Sequence, residues 1–88
     1  MKVKDGFMIR EVAGQWVVLP LSQRVVVFNG ILSLSETGAF IWRLLEKEIS
    51  EEEIVQAVLE EYSIDESTAR ADVREFLDSI REHNLLEA

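Results

Sequence analysis

Residues 31–45 read ILSLSETGAFIWRLL, and this stretch decides the fold because a strand pattern changes to a helix pattern within it. The run from Ile31 to Leu34 is β-prone, and Ser35 belongs to the residue types that cap helix N-termini. The residues after Ser35 are apolar around most of a helical circumference, which is typical of a helix in the middle of a domain. We therefore predict a short strand followed by a central, buried helix that runs to about Glu46.

The residues before this junction predict further strands. Phe7–Val12 is β-prone, and Ala13-Gly14 is a turn signal that leads into a second run, Trp16–Leu19. Pro20 indicates either that the second strand is at an edge of the sheet or that it ends there, since proline cannot donate a hydrogen bond to a strand ladder.

A hairpin is predicted just before the junction. Asn29-Gly30 separates the β-prone run Val25–Phe28 from Ile31–Leu34. An Asn-Gly pair between two such runs is a strong hairpin signal, because both turn positions need a positive φ. The sheet is therefore predicted to be antiparallel, with three or four strands.

The rest of the chain predicts two more helices. Ser50-Glu-Glu-Glu53 is a capping box that opens a second helix. Asp65 caps a third helix, which ends near Asn84, a residue that tolerates a left-handed conformation. The expected fold class is α+β, a single domain over residues 1–88, resembling a winged helix-turn-helix, with the small sheet followed by a three-helix bundle. The predicted core consists of Trp16, Val18, Leu32, Leu34, Ile41, Leu44, Leu45, Ile54, Val58, Val73, Phe76, Leu77 and Ile80.

The charge of the chain argues against nucleic-acid binding. Of its 88 residues, 17 are acidic and 9 are basic, which gives a net charge of −8. Residues 1–45 carry five basic and three acidic side chains, whereas residues 46–88 carry four basic and fourteen acidic ones. Such a chain repels the phosphate backbone, and the second helix offers it no lysine or arginine. A DNA-binding winged helix is therefore disfavoured.

The chain also lacks the parts of an enzyme site. His83 is its only histidine, it has no cysteine, and its glycines are isolated, so no metal set, catalytic base with a partner or phosphate-binding loop is indicated. We expect neither catalysis nor a cofactor. The N-terminus has no signal-peptide pattern and no segment approaches the length of a membrane span, so a cytoplasmic location without membrane contact is expected.

Three arginines of the third helix form a stripe. Arg70, Arg74 and Arg81 lie four and seven residues apart, which places them beside the apolar face of that helix. The stripe has two interpretations. It can form helix-spaced ion pairs with neighbouring acids such as Asp78, or it can border a groove for an acidic, partly apolar ligand.

The segment Leu34-Ser-Glu-Thr-Gly-Ala-Phe-Ile-Trp-Arg-Leu-Leu45 resembles the PqqD-like family. The stretch from Ser50 to Tyr62 and the closing Asn84-Leu85-Leu86 are similar to that family as well, as is the strand Gly14–Leu19. The likeness covers nearly the whole chain, and the order and spacing of the motifs are more specific than any one of them. The Val25–Phe28 arm departs from family members of the quinone-cofactor pathway and resembles stand-alone members of other pathways.

The resemblance implies a function as well as a fold. Members of this family are RiPP recognition elements, peptide chaperones that bind the leader segment of a ribosomally made precursor peptide. They present it to a modifying enzyme, often a radical SAM protein. The peptide is expected to add as a strand beside Ile31–Leu34, with the third helix as the other wall of its groove. The implied peptide-binding residues are Ile31, Leu32, Ser33, Val73, Arg74, Leu77, Ile80 and Arg81, with the two arginines meeting acidic side chains.

One alternative function remains open at this point. A winged-helix regulator or protein–protein adaptor would have the same order of elements, and a homodimer is compatible with either function.

Overall fold

Three strands are followed by three helices in the computed structural model, which describes residues 1–21 and 32–87. The strands form one antiparallel sheet in the order β1-β2-β3. This confirms the α+β prediction and the order of its elements. The elements are β1 (Phe7–Val12), β2 (Gln15–Pro20), β3 (Leu32–Leu34), α1 (Glu36–Leu44), α2 (Glu51–Glu61) and α3 (Glu66–Glu82).

The hairpin between β1 and β2 forms at the predicted turn. Ala13 and Gly14 both have a positive φ, of 52° and 81°, as a two-residue turn between twisted strands requires. Val12 pairs with Gln15 beside the turn. β2 ends at Pro20, and since β2 lies between β1 and β3, the strand-end alternative is confirmed and the edge alternative is wrong.

The alternation of side chains along β3 also follows the prediction. Leu32 lies opposite Val18, and both Leu32 and Leu34 pack against the core, whereas Ser33 is exposed. The predicted Asn29-Gly30 turn and the Val25–Phe28 arm lie outside the described residues.

Side-chain caps begin all three helices at the predicted residues. Ser35 Oγ accepts from the backbone N–H of Gly38 at 3.0 Å, and Asp65 Oδ1 accepts from that of Thr68 at 2.9 Å. At α2 the complete capping box is present, with Ser50 and Glu53 each bonding the other's backbone N–H. Asn84 follows α3 with a φ of 63°, which confirms the predicted left-handed position.

The core is built around α1. Trp42 and Leu45 are fully buried, and Ile41 is nearly so, against side chains of the sheet and the other two helices. Leu44 and Phe76, which were predicted for the core, are half-buried and pack against it. The buried set consists of Val3, Val18, Ala39, Ile41, Trp42, Leu45, Ile54, Val55, Val58, Ala69, Val73, Leu77, Ile80 and Leu85.

One predicted core residue lies elsewhere. Trp16 is only half-buried, at the end of the sheet next to the hairpin, and the guanidinium carbon of Arg43 lies 4.5 Å from its ring centroid. The tryptophan of the core is Trp42, because α1 is enclosed and the end of the sheet is not. The Arg43 guanidinium instead covers the Trp16 ring, and a cation–π contact of this kind can form at an aromatic ring that is partly exposed to solvent.

Backbone hydrogen bonds bring the two ends of the chain together in a terminal clasp, which the sequence patterns did not indicate. Val3 bridges to Leu86, and its N–H donates to Leu45 O at 2.9 Å. Lys4 N–H donates to Leu85 O, and Leu85 is fully buried. A single bridge is too short to leave a periodic pattern, so this contact could not be predicted locally.

Replacing Leu85 by alanine tests the contribution of the clasp to stability. Loss of a fully buried leucine side chain is expected to lower the free energy of unfolding by about 2–5 kcal/mol in urea titrations. The matched control is Val12→Ala, whose side chain is half-exposed at the hairpin. Equal, small effects of both changes would show that the clasp does not stabilise the fold.

The helix caps predict a loss of stability in acid. Hydrogen bonds from the side chain and backbone of Thr68 lower the pKa of Asp65, and those from the backbone and side chain of Ser50 lower the pKa of Glu53. A carboxylate with a lowered folded-state pKa stabilises the fold above its unfolded pKa, and this contribution is lost as the pH falls through the folded value. The free energy of unfolding is therefore expected to decrease as the pH is lowered below about 4.

Asp65→Asn separates the caps from other acid effects. Asparagine caps a helix about as well as aspartate but does not titrate. The variant should match the parent chain near neutral pH in denaturant titrations and lose less stability in acid. Identical pH profiles would contradict the assignment of this effect to Asp65.

Candidate functional site

One side of β3 is open in the described part of the chain. Its other side pairs with β2, and β3 is the last strand in the sheet order. An edge strand presents backbone N–H and C=O groups to which an extended chain can bind. The edge is therefore a candidate for strand addition.

A groove lies between this strand and α3. It has a volume of about 290 Å³, at the lower limit of small-molecule sites, and is open to solvent. The end of β3 and the start of α1 line one side, while α3 forms the other, and no β2 residue takes part. The lining residues are Ser33, Leu34, Ser35, Thr37, Gly38, Ile41, Asp72, Glu75, Phe76 and Ser79.

The floor of the groove depends on a close approach of α1 to α3. A Cβ atom placed on Gly38 would lie 3.1 Å from Cε1 of Phe76 and 3.3 Å from Ser35 Oγ. The missing side chain lets the Phe76 ring lie directly against α1. This contact fixes the apolar part of the groove beside the cap of α1.

None of the predicted binding residues on α3 lines this groove. Val73, Leu77 and Ile80 are at most 1% exposed and belong to the core. The prediction that they form apolar pockets for the peptide is therefore wrong. The apolar stripe by which the sequence identified them is the face that α3 buries in the core. Of the predicted strand residues, Ser33 lines the groove, Leu32 is half-buried on β3, and Ile31 lies outside the described residues.

The arginines of α3 lie on the opposite border of its buried stripe. Asp72 precedes the buried Val73, whereas Arg74 follows it, and residues 79 to 81 repeat this order. Since consecutive helical residues are about 100° apart, the groove-lining residues and the arginines flank the stripe on different sides. Neither Arg74 nor Arg81 lines the groove.

Ion pairs occupy these arginines instead. Arg70 donates to both carboxylate oxygens of Glu52 at 2.8 Å and also to Glu66, and these bonds raise its pKa. Arg74 pairs with Glu51 on α2 at 3.1 Å, and Arg81 pairs with Asp78 at 3.4 Å. The observed geometry of the three arginines therefore agrees with the ion-pair interpretation of the stripe.

Sequence reasoning missed the residues of α3 that do form the groove wall. Asp72, Phe76 and Ser79 each stand one position before a buried residue, at the spacing of one helical face. That spacing was visible in the sequence. Which border of the stripe faces β3 depends on how α3 packs, and the conspicuous arginines favoured the other border.

The described residues contain no group of three His, Asp or Glu side chains that could hold a metal ion. His83 is exposed after α3, and its Nδ1 lies 2.8 Å from Ser79 O. Over the same residues, no helix combines the length and apolar character needed to cross a membrane.

Comparison with known proteins gives one family and one structure. The family model for coenzyme PQQ synthesis protein D (PqqD) matches residues 15–86. Among solved structures, the chain is similar to TbiB1 in complex with the TbiA(beta) leader peptide, with 34% sequence identity and a TM-score of 0.76. This match covers 100% of the chain and 96% of TbiB1. The search of curated proteins found no match.

A double-mutant cycle tests the close approach in the groove floor. Gly38→Ala gains helix propensity of up to about 1 kcal/mol but forces the Phe76 ring to move. In a Phe76→Ala background the ring is absent, so the same change at Gly38 should be clearly more stabilising in denaturant titrations. Equal effects in both backgrounds would show that Phe76 does not restrict this position.

Proposed function

The chain belongs to the PqqD family, which confirms the resemblance found in its sequence, and on this premise we propose that it binds the leader segment of a ribosomally made precursor peptide. One observation carries the proposal. The open edge of β3 faces a groove against α3, in a fold that matches TbiB1 of a leader-peptide complex over the full chain.

The geometry supports binding by strand addition. An extended peptide beside β3 can satisfy the backbone groups of that edge, which gives affinity with little demand on sequence. Alternate side chains of the peptide then point toward the core side of the sheet, where Leu34 and Phe76 offer apolar contact. Selectivity comes from the side chains along the wall of α3.

The open edge must also be free of the chain's own residues. Val25–Phe28 was predicted to pair with the strand before α1, and it lies outside the described residues. The proposal therefore requires either that this arm leaves the outer side of β3 free or that the peptide docks on the arm itself.

The proposal extends to the role of the bound peptide. A leader held as an edge strand leaves the remainder of the precursor outside the groove, where a modifying enzyme can reach it. We assign the chain a non-catalytic, presenting role in the cytoplasm, with a radical SAM protein as one class of modifying enzyme and a homodimer as one possible assembly. No histidine or cysteine, which could act as a catalytic base or nucleophile, lines the groove.

Blocking the groove tests the proposal. Ser79→Trp places a large side chain in the groove wall, and Ser67→Trp makes the same change at an exposed position in the first turn of α3. With a synthetic candidate leader peptide that binds the parent chain, Ser79→Trp should weaken binding by at least about tenfold, or ~1.4 kcal/mol, in calorimetric titrations. Ser67→Trp should leave binding unchanged.

Amide chemical shifts identify the binding surface independently. Addition of the leader peptide should shift residues of β3 and the 72–79 segment of α3. Shifts confined to α2, or equal affinities for the two tryptophan variants, would contradict the groove. Salt-sensitive binding of duplex DNA without peptide binding would support the winged-helix regulator instead.

A further inference from the structure

The groove has an electronegative wall. Asp72 and Glu75 are exposed on the side of α3 that lines it, and no Lys or Arg nitrogen of the described residues lies within 4.0 Å of either carboxylate. Both residues are in the interior of α3, so the dipole of a helix N-terminus does not account for them. Their charges are available to a ligand in the groove.

The basic side chains of α3 do not compensate this charge. Arg70 and Arg74 bind the acids of α2 on the other border of the helix, and Arg81 binds Asp78. Among the described residues, the charges of α3 are thus segregated, with the paired arginines on one side and Asp72 and Glu75, which have no ion pair there, on the other. A peptide beside β3 meets the unpaired side.

A second hollow continues the groove toward the hairpin. It shares Ser33, Leu34 and Ser35 with the groove, and Glu11 and Glu36 lie on its rim. Neither carboxylate has an ion pair among the described residues. Glu36 also stabilises the first turn of α1, so its position has an explanation without a ligand. A peptide that runs past the end of β3 into this hollow would meet Glu11 and Glu36 as well, beside the Trp16 ring that Arg43 covers.

We infer that this groove selects a leader segment with lysine or arginine side chains next to its apolar ones and discriminates against acidic segments. This inference rests on the proposed function and names the chemistry of its ligand. The charge expected of the ligand is opposite to the one that the arginine stripe indicated, because Asp72 and Glu75 line the groove and Arg74 and Arg81 do not. Complementary charge near a binding site acts mainly on specificity and association rate, and like charges exclude wrong partners.

A display experiment tests the inference without a known precursor. A yeast-displayed library of random twelve-residue peptides is sorted against the purified chain, and the charge of the enriched sequences is compared with that of the unsorted library. Synthetic copies of enriched peptides are then titrated into the labelled chain to find those that shift amides of β3 and residues 72–79. Enriched groove binders are expected to carry excess lysine and arginine.

Matched variants locate the preference in the groove. Asp72→Asn with Glu75→Gln removes both wall charges, and should weaken a basic groove binder roughly fivefold while leaving its neutral analogue unaffected. Glu60→Gln with Glu61→Gln removes the same formal charge from the exposed end of α2, and should change neither affinity. Arg74→Glu with Arg81→Glu should not weaken the binding of the basic peptide. If these arginines bordered the groove, the same changes would instead weaken the binding of an acidic peptide.

The outcomes separate the inference from the proposed function. Groove binders that are neutral or acidic would overturn the charge inference and leave leader binding in place. If the changes at Glu60 and Glu61 reduce the preference for basic peptides as much as the changes in the groove wall do, the preference comes from the net charge of the chain. This result would also overturn the inference. Failure of every enriched peptide to shift β3 and residues 72–79 would overturn both.

Discussion

The burial of the apolar side chains of α1 is the constraint on which the rest of the structure depends. Its apolar side chains cover most of its circumference, and Trp42 and Leu45 leave no surface exposed. A helix of this kind has to be covered from several directions at once. The sheet, the other two helices and the terminal clasp provide this cover. The groove lies where the enclosure ends, between the strand that leads into α1 and the helix that packs against it.

The sequence predicted those features of the fold that depend on local chemistry. Ser35, Ser50 and Asp65 each cap a helix where their hydroxyl or carboxylate indicated, and the turn at residues 13–14 follows from its residue types. Contacts between distant segments were not predictable in this way. Val3 meets the last residues of the chain through a single bridge, and no periodicity marks such a pairing.

The candidate site was predicted in part for the same reason. The helix and strand that form it were identified, but the side of α3 that faces β3 was not. Periodicity shows which residues of a helix are buried, and it does not show which neighbour covers each border of the buried stripe. The buried residues Val73 and Ile80 were therefore predicted to line the groove, whereas Phe76 was predicted only for the core and Asp72 and Ser79 were not among the predicted site residues. Only tertiary packing distinguishes the two.

The uneven charge of the chain also acquires a structural meaning. Among the acids of its second half, Glu51 and Glu52 on α2 pair with arginines of α3, whereas Asp72 and Glu75 on the groove side have no such partner among the described residues. The same excess of acid that disfavours contact with nucleic acid thus leaves a specific field on one surface.

The terminal clasp has a consequence for the order of the chain. Because residues 2–4 and 85–87 run side by side and antiparallel, a short linker could join the two ends without disturbing the sheet or the helices. New ends could then be opened at the exposed hairpin turn at residues 13–14, as in a circular permutation.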